Sequence, residues 1–126
     1  MKQLEEKVEG GSFEVVNCDV SKLRLREKMF DLVVMNPPFG TKEEGIDCKF
    51  LTIAMEICRG NIYSMHKSST RGFLQKMAES KGYQFKVLME VDFPLKKRFK
   101  GYHKKEVAFT KVDVIILTPI SNKKIK

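Results

Sequence analysis

Cysteine is scarce and unpaired in this chain. Cys18, Cys48 and Cys58 are an odd number, and no two stand at Cys-x-x-Cys spacing. That argues against a disulfide framework and against a zinc site, and for a reducing compartment, cytoplasmic or nuclear. No bound metal is expected. Long apolar runs are missing too. None approaches the ~18 residues that cross a bilayer, so no membrane partner is expected. The first six residues, Met1 to Glu6, are charged and lack the apolar core of a secretory signal. There is no internal repeat and no stretch of linker composition. The 126 residues read as one domain, 1–126, large enough for a core but small for an α/β enzyme.

What is present is globular in composition. Apolar residues make up 42% and charged residues 32%, which excludes a disordered chain. The net charge of +8 and the isoelectric point near 9.4 suit an anionic partner such as RNA. A lysine-coated soluble surface has the same composition, and charge alone leaves both open.

The strongest local signal lies at residues 30–40. Phe30-Asp31-Leu32-Val33-Val34-Met35 is a near-continuous apolar run, which predicts a strand buried on both faces, as in a parallel sheet. It stops on Pro37-Pro38. Proline lacks an N–H and fixes φ, so the strand must end there, and Asn36 before it is pushed toward extended geometry. The product is a stiff loop at the C-terminal end of a strand, where open α/β sheets bind ligands. The side-chain oxygen of Asn36 and the carbonyl of Pro37 can hold a planar –NH₂ group by its two hydrogens. Phe39 offers a flat face for a ring, and stacking of that kind is worth about 1–3 kcal/mol per base. Two acceptors on the hydrogens of an aryl amine push electron density back onto its nitrogen. That is positioning plus electrostatics, with no covalent step by the protein.

Asn36-Pro37-Pro38-Phe39 resembles the Asn-Pro-Pro-(Tyr/Phe) signature of class I S-adenosylmethionine-dependent methyltransferases that modify exocyclic or amide nitrogens. With Gly40-Thr41-Lys42, the segment Ile62-Tyr-Ser-Met-His-Lys-Ser-Ser-Thr-Arg71, and Tyr102-His-Lys-Lys105, the chain resembles a methyltransferase-like family. That family methylates adenine at N6 in small-subunit ribosomal RNA, and the likeness runs over nearly the whole chain. It implies S-adenosylmethionine as cofactor, an RNA substrate, and a class I methyltransferase-like (Rossmann-like) α/β sheet with an antiparallel final strand pair. It also implies catalysis by Asn36, Pro37, Pro38 and Phe39, with Asn36 and Asp19 touching the cofactor. A small zinc-binding activator subunit, which pairs with a sheet edge, is the implied protein partner. Two other readings stay open: a methyltransferase acting on a glutamine amide of a protein, and a non-catalytic remnant that binds RNA or a partner.

Around this loop the pattern predicts a helix end at 1–9, stopped by Gly10-Gly11, and a strand at 13–18. Asp19 follows as a turn cap or as the acceptor of the cofactor's adenine amine. Residues 21–29 read as a solvated connector. Asp47 is the predicted N-cap of a helix to about Arg59, with Ile46, Phe50, Ile53 and Ile57 on its buried face and Gly60 closing it. A strand follows at 61–66. His66 at its end is either a general base or, more commonly for a lone histidine, a packed side chain. Lys67 and Arg71 are candidate phosphate contacts. Thr70 can cap a second helix carrying Phe73, Leu74 and Met77 and ended by Gly82. Phe85, Val87, Met89 and Val91 predict one face of a half-exposed strand, and 106–117 its antiparallel partner. Between them, 92–105 reads either as a solvated hairpin loop or as a grip on single-stranded RNA. Its Lys96, Lys97, Arg98, Lys100, Lys104 and Lys105 are interleaved with Phe99, Tyr102 and His103. The tail from Ser121 to Lys126 is basic and expected to fray.

One absence is measured against the resemblance. The class I fold opens with a strand, a glycine-rich turn and a second strand ending in an acidic residue, and no segment here has that form. In the family's strand order, 3-2-1-4-5-7-6, the missing pair would lie between 13–18 and 30–35. The resemblance therefore implies an N-terminally shortened member with the first two strands gone. The strand at 13–18 should either close onto 30–35 or hang at a poorly packed edge.

Overall fold

The computed structural model describes residues 11–38, 45–98 and 105–120. The predicted helix at 1–9, Phe39 to Glu44, residues 99–104 and the tail at 121–126 lie outside them. Four strands and two helices follow in order: β1 (Phe30–Met35), α1 (Ile46–Ile57), β2 (Cys58–Lys67), α2 (Arg71–Ser80), β3 (Tyr83–Arg98) and β4 (Lys105–Pro119). Short 3₁₀ turns stand at Val20–Lys22 and Ser68–Thr70. The sheet order is β1-β2-β4-β3, which is the 4-5-7-6 half of the class I order. Only β1 and β2 are parallel. Strand β4 runs antiparallel to both neighbours, so the expectation of a mainly parallel sheet holds for one pairing of three.

Both helices contribute to one core. Leu51, Ala54 and Met55 from α1 and Leu74 and Ala78 from α2 pack with Cys58, Ile62, Tyr83, Ile115 and Leu117. The register explains the choice of sheet residues. Ile62 faces Leu117, Ser64 faces Ile115 and His66 faces Asp113 across β2 and β4, so these six share one side of the pleat. Val33 and Met35 pack on the same core, whereas Leu32 and Val34, one step out of phase, are 54% and 71% exposed. Thus β1 is not buried on both faces as its valine-rich run predicted. It is an edge strand, because among the described residues no strand flanks it on the other side. The same lack governs residues 13–18. They form no strand, and Val15 and Val16 are exposed; an extended segment without a ladder partner gains nothing by becoming one.

Two bulges set the register. Between Phe30 and Leu32 the β1–β2 pairing jumps from Cys58 to Asn61. A Cβ on Gly60 would collide with the backbone carbonyl of Asp31. Gly60 therefore does not close α1, which already ends at Ile57; it lets β1 approach β2 closely. A second bulge lies between Val87 and Met89. It places Met89 opposite Val114 and Glu90 opposite Asp113, and so splits the predicted face. Phe85 and Val87 pack on the core, while Met89 is 55% exposed. Phe73 also proves exposed, leaving Leu74, Met77 and Ala78 to hold α2.

The connector before β1 is tied down rather than simply solvated. Lys28 Nζ donates to the Met55 carbonyl at 2.7 Å, and its backbone N–H donates to the Glu56 carbonyl at 2.9 Å. A cation thus meets the carbonyl end of α1, where the helix leaves acceptors unpaired.

Candidate active site

Past Met35 the chain enters Asn36, Pro37 and Pro38. Pro37 is buried and Asn36 exposed. No hydrogen bond of the Asn36 side chain is found among the described residues. Together with Phe93 these three residues line an open pocket of about 200 Å³. Phe39 and Gly40 lie outside the described residues. Neither Pro37 nor Pro38 has an N–H, so the backbone at those two positions offers only carbonyl acceptors. Asn36 adds an amide that can accept or donate, so the pocket can meet a flat group that brings its own donors.

Phe93 was not anticipated as a site residue. It arrives because β3 and β4 outrun the rest of the sheet. The last β2–β4 pair is Lys67 with Val112, whereas β3 and β4 stay paired from Asp92–Lys111 to Arg98–Lys105. The segment expected as a loop is, over 92–98 and from 105, a two-stranded arm beyond the C-terminal end of β2. The alternation of Val91, Phe93 and Leu95 was the sequence signal for it. The arm carries Lys96, Lys97, Arg98 and Lys105 in its strands; Lys100 and Lys104 lie outside the described residues. Asp92 and Lys111 form an exposed ion pair across it at 3.0 Å.

The 62–71 segment holds two polar clusters. His66 is 1% exposed. Its Nε2 lies 2.7 Å from Ser64 Oγ and its Nδ1 3.3 Å from Asp47 Oδ2. This pattern fits a neutral ring that donates from Nδ1 to the carboxylate and accepts from the serine hydroxyl. Burial pushes the imidazole below its ordinary value of 6.5, against the pull of Asp47 and Asp113. Of the two open readings, the packed histidine is the one seen. Asp47 is not the N-cap of α1. That position is Gly45, with φ 79°, and Asp47 in the first turn ties the helix to the end of β2.

The second cluster is built on Asp113, 1% exposed. Arg71 grips it with Nε and Nη2, both at 2.6 Å. Ser68 Oγ donates at 2.6 Å, and Arg71 Nη2 also reaches Glu90 at 3.2 Å. The Arg71 guanidinium holds the Asp113 carboxyl below the usual range, more than burial raises it, and Asp113 raises the guanidinium. A phosphate at Arg71 must compete with two carboxylates already there. Lys67 stands at the end of β2, and its carbonyl accepts from Thr70 Oγ1 at 2.7 Å. Thr70 precedes α2 but makes no side-chain cap bond.

Asp19 is exposed and caps the first 3₁₀ turn. Its Oδ1 accepts from the backbone N–H and the hydroxyl of Ser21, both at 2.8 Å. These two bonds, the backbone one foremost, lower its carboxyl. The turn-capping reading of Asp19 is thus the one with contacts in the structure. Among the described residues, no group of three His, Cys, Asp or Glu side chains could hold a metal, and no helix is long and apolar enough to cross a membrane.

A sheet of this order, with an antiparallel β4 and an Asn-Pro-Pro turn at its C-terminal edge, is part of a class I methyltransferase fold. Known proteins agree with that class. The chain is 40% identical over 116 residues to rRNA N(6)-adenosine-methyltransferase METTL5 of Danio rerio, covering 90% of this chain and 56% of the relative. It is 41% identical over 88 residues to the Drosophila melanogaster protein of the same name, covering 69% and 41%. Among solved structures, a candidate RNA methyltransferase from Pyrococcus horikoshii superposes with a TM-score of 0.65 at 30% identity, over 89% of this chain and 53% of that one. No family model matches the chain. By sequence the chain is a homologue of the rRNA N6-adenosine-methyltransferases, and it spans about half the length of the relatives it matches.

Proposed function

We propose that this chain carries the acceptor-binding half of an S-adenosylmethionine-dependent methyltransferase that acts on adenine N6 in small-subunit ribosomal RNA. The observation that carries the reading is the open pocket at the end of β1, with Asn36 exposed beside two prolines. Asn36 and the Pro37 carbonyl hold the amine by its hydrogens, the apolar walls hold the ring, and the arm with Lys96, Lys97, Arg98 and Lys105 meets the phosphates. The bound cofactor supplies the methyl group. The cofactor's own site is only partly present: Asp19 is already engaged by Ser21, and the sequence holds no glycine-rich turn for the methionine and ribose. Hydrogen bonds to charged groups contribute about 1.5–3 kcal/mol each, and 1.4 kcal/mol is tenfold in affinity. Calorimetry on the 126-residue chain should therefore detect no S-adenosylmethionine binding at micromolar concentrations. Micromolar binding would show that other residues have rebuilt the site.

The activator subunit belongs to the same proposal. Among the described residues the sheet ends on β1 at one side and β3 at the other, and an open sheet edge is suited to strand addition. Co-expression with a small zinc-binding activator should raise the soluble yield and the two should co-purify; no gain would count against it. The free thiols of Cys18, Cys48 and Cys58 support a reducing compartment, cytoplasmic or nuclear.

A further inference from the structure

We propose that Ser64, His66 and Asp47 form a buried latch that fastens both ends of the Asn-Pro-Pro connection to β2, which makes His66 and Asp47 positioning residues for Asn36. The latch stands on geometry alone; its bearing on Asn36 rests on the acceptor-site reading above. Residues 36–45 join β1 to α1. At the near end, Met35 is ladder-paired with Ser64. At the far end, Asp47 in the first turn of α1 meets the His66 ring, with Nδ1 3.3 Å from Oδ2. The Ser64 hydroxyl joins the two ends, 2.7 Å from His66 Nε2. Ser64 thus holds the strand before the connection with its backbone and, through His66, the helix after it with its side chain.

The start of α1 has no side-chain cap, since its N-cap is Gly45, so Asp47 supplies the directional bond there. Asp113 faces His66 across the β2–β4 ladder, but both its oxygens already accept from Arg71 or Ser68. Asp47 is the carboxylate that bonds the ring. All three side chains of the latch are buried, and no buried side-chain polar atom among the described residues lacks a partner. A buried polar network satisfied in this way fixes one arrangement. The fully buried Leu51, one turn on, holds α1 down by apolar contact, which has no direction. Anchoring both ends to neighbouring residues of one strand also cuts the conformations open to the connection between them.

The test is NMR of the full 126-residue chain. In the unsubstituted chain the imidazole nitrogens of His66 should show a neutral ring with its proton on Nδ1; a proton on Nε2 with a bare Nδ1 would overturn the latch without any substitution. Asp47→Ala should speed exchange of the Lys49 amide, which donates to the Gly45 carbonyl, by about ten-fold or more, the loss of one bond to a charged group. It should also alter the Asn36 side-chain amide signal and weaken adenosine 5′-monophosphate, read at Asn36, by about three-fold or more. Asp47→Asn keeps an acceptor for the Nδ1 proton and should recover most of the loss in each readout. Ala54→Gly weakens α1 away from the latch; it should speed Lys49 exchange yet leave Asn36 and the nucleotide affinity as they were. If Ala54→Gly disturbs Asn36 as much as Asp47→Ala does, ordinary helix stability explains the effect and the positioning role is overturned. An Asp47→Ala chain with Asn36 and the nucleotide affinity unchanged overturns it as well. If adenosine 5′-monophosphate does not shift Asn36 in the unsubstituted chain, the acceptor reading fails and the positioning role with it, while the His66 ring still decides the latch.

Discussion

Replacing Gly60 by alanine tests how the pocket is held in place. In β2 the Cα of Gly60 faces the Asp31 carbonyl so closely that an added Cβ would overlap it, and the obstacle is backbone rather than a flexible side chain. Either β2 or β1 must move. Strand β1 is bonded on one side only, so it is the element that yields. Overpacking of a tight site costs about 1–3 kcal/mol. Losing one ladder bond near the bulge adds about 1 kcal/mol, for a total near 2–4 kcal/mol. At roughly 4 °C per kcal/mol for a domain of this size, Gly60→Ala should lower the melting temperature by about 8–16 °C. Amide exchange gives the location: protection should fall from Leu32 to Met35 and persist at Ile115 and Leu117. Gly45→Ala serves as a contrast, because open space surrounds that position and its cost is conformational only. A Gly60→Ala protein with unchanged melting and unchanged β1 protection would refute the claim that this contact sets the strand and the loop beyond it.

Other predictions concern the polar clusters and the arm. Burial lowers the His66 pKa below 6.5, so folding favours the neutral ring. Stability should be full above pH ~6.5 and decline as pH falls below it, while the unfolded chain takes up the proton first; His66→Gln should flatten this decline above the carboxylate range. Arg71→Ala leaves Asp113 buried with only the Ser68 hydroxyl, and should destabilise more than breaking the exposed Lys111–Asp92 pair, measured by urea unfolding. Leu51, fully buried, should cost about 2–5 kcal/mol as Leu51→Ala. Changing Lys96, Lys97 and Arg98 to glutamine should weaken single-stranded RNA binding and reduce the slope of log affinity against log salt by up to about 2, near 0.7 per lost phosphate contact.

The inner half of the pocket was legible because its causes are local. An apolar run and two prolines fix where β1 ends, whatever surrounds it. The pairing of β3 with β4 was legible too, since Phe85, Val87, Met89 and Val91 alternate and a second strand-forming run follows at 106–117. What escaped prediction depends on neighbours. The run at 30–35 has the composition of a doubly buried strand, but among the described residues nothing covers its outer face, where Leu32 and Val34 are exposed. The segment at 13–18 has strand composition and no ladder partner among the described residues. The bulge at Val87–Met89 has no compositional mark, yet it decides that Glu90 and not Met89 faces Asp113 and Arg71. Phe93 lies in a stretch dominated by lysines, which drew the reading toward a loop although the alternation of Val91, Phe93 and Leu95 continued through it. Lys28 looked like one more solvated cation; its bond to the Met55 carbonyl depends on where α1 stops.

Methyl transfer by a completed protein tests the central claim most directly. The unmatched portion of the Danio rerio relative, joined to this chain, would restore the length that the chain lacks. Incorporation of a labelled methyl group into small-subunit ribosomal RNA should then appear at adenine N6. Asn36→Ala in the same fusion should lower the rate by about 10²–10³, the cost of losing one preorganised contact to a reacting group. A fusion that folds and binds S-adenosylmethionine but transfers no methyl group, or one that transfers equally well without Asn36, would contradict the account.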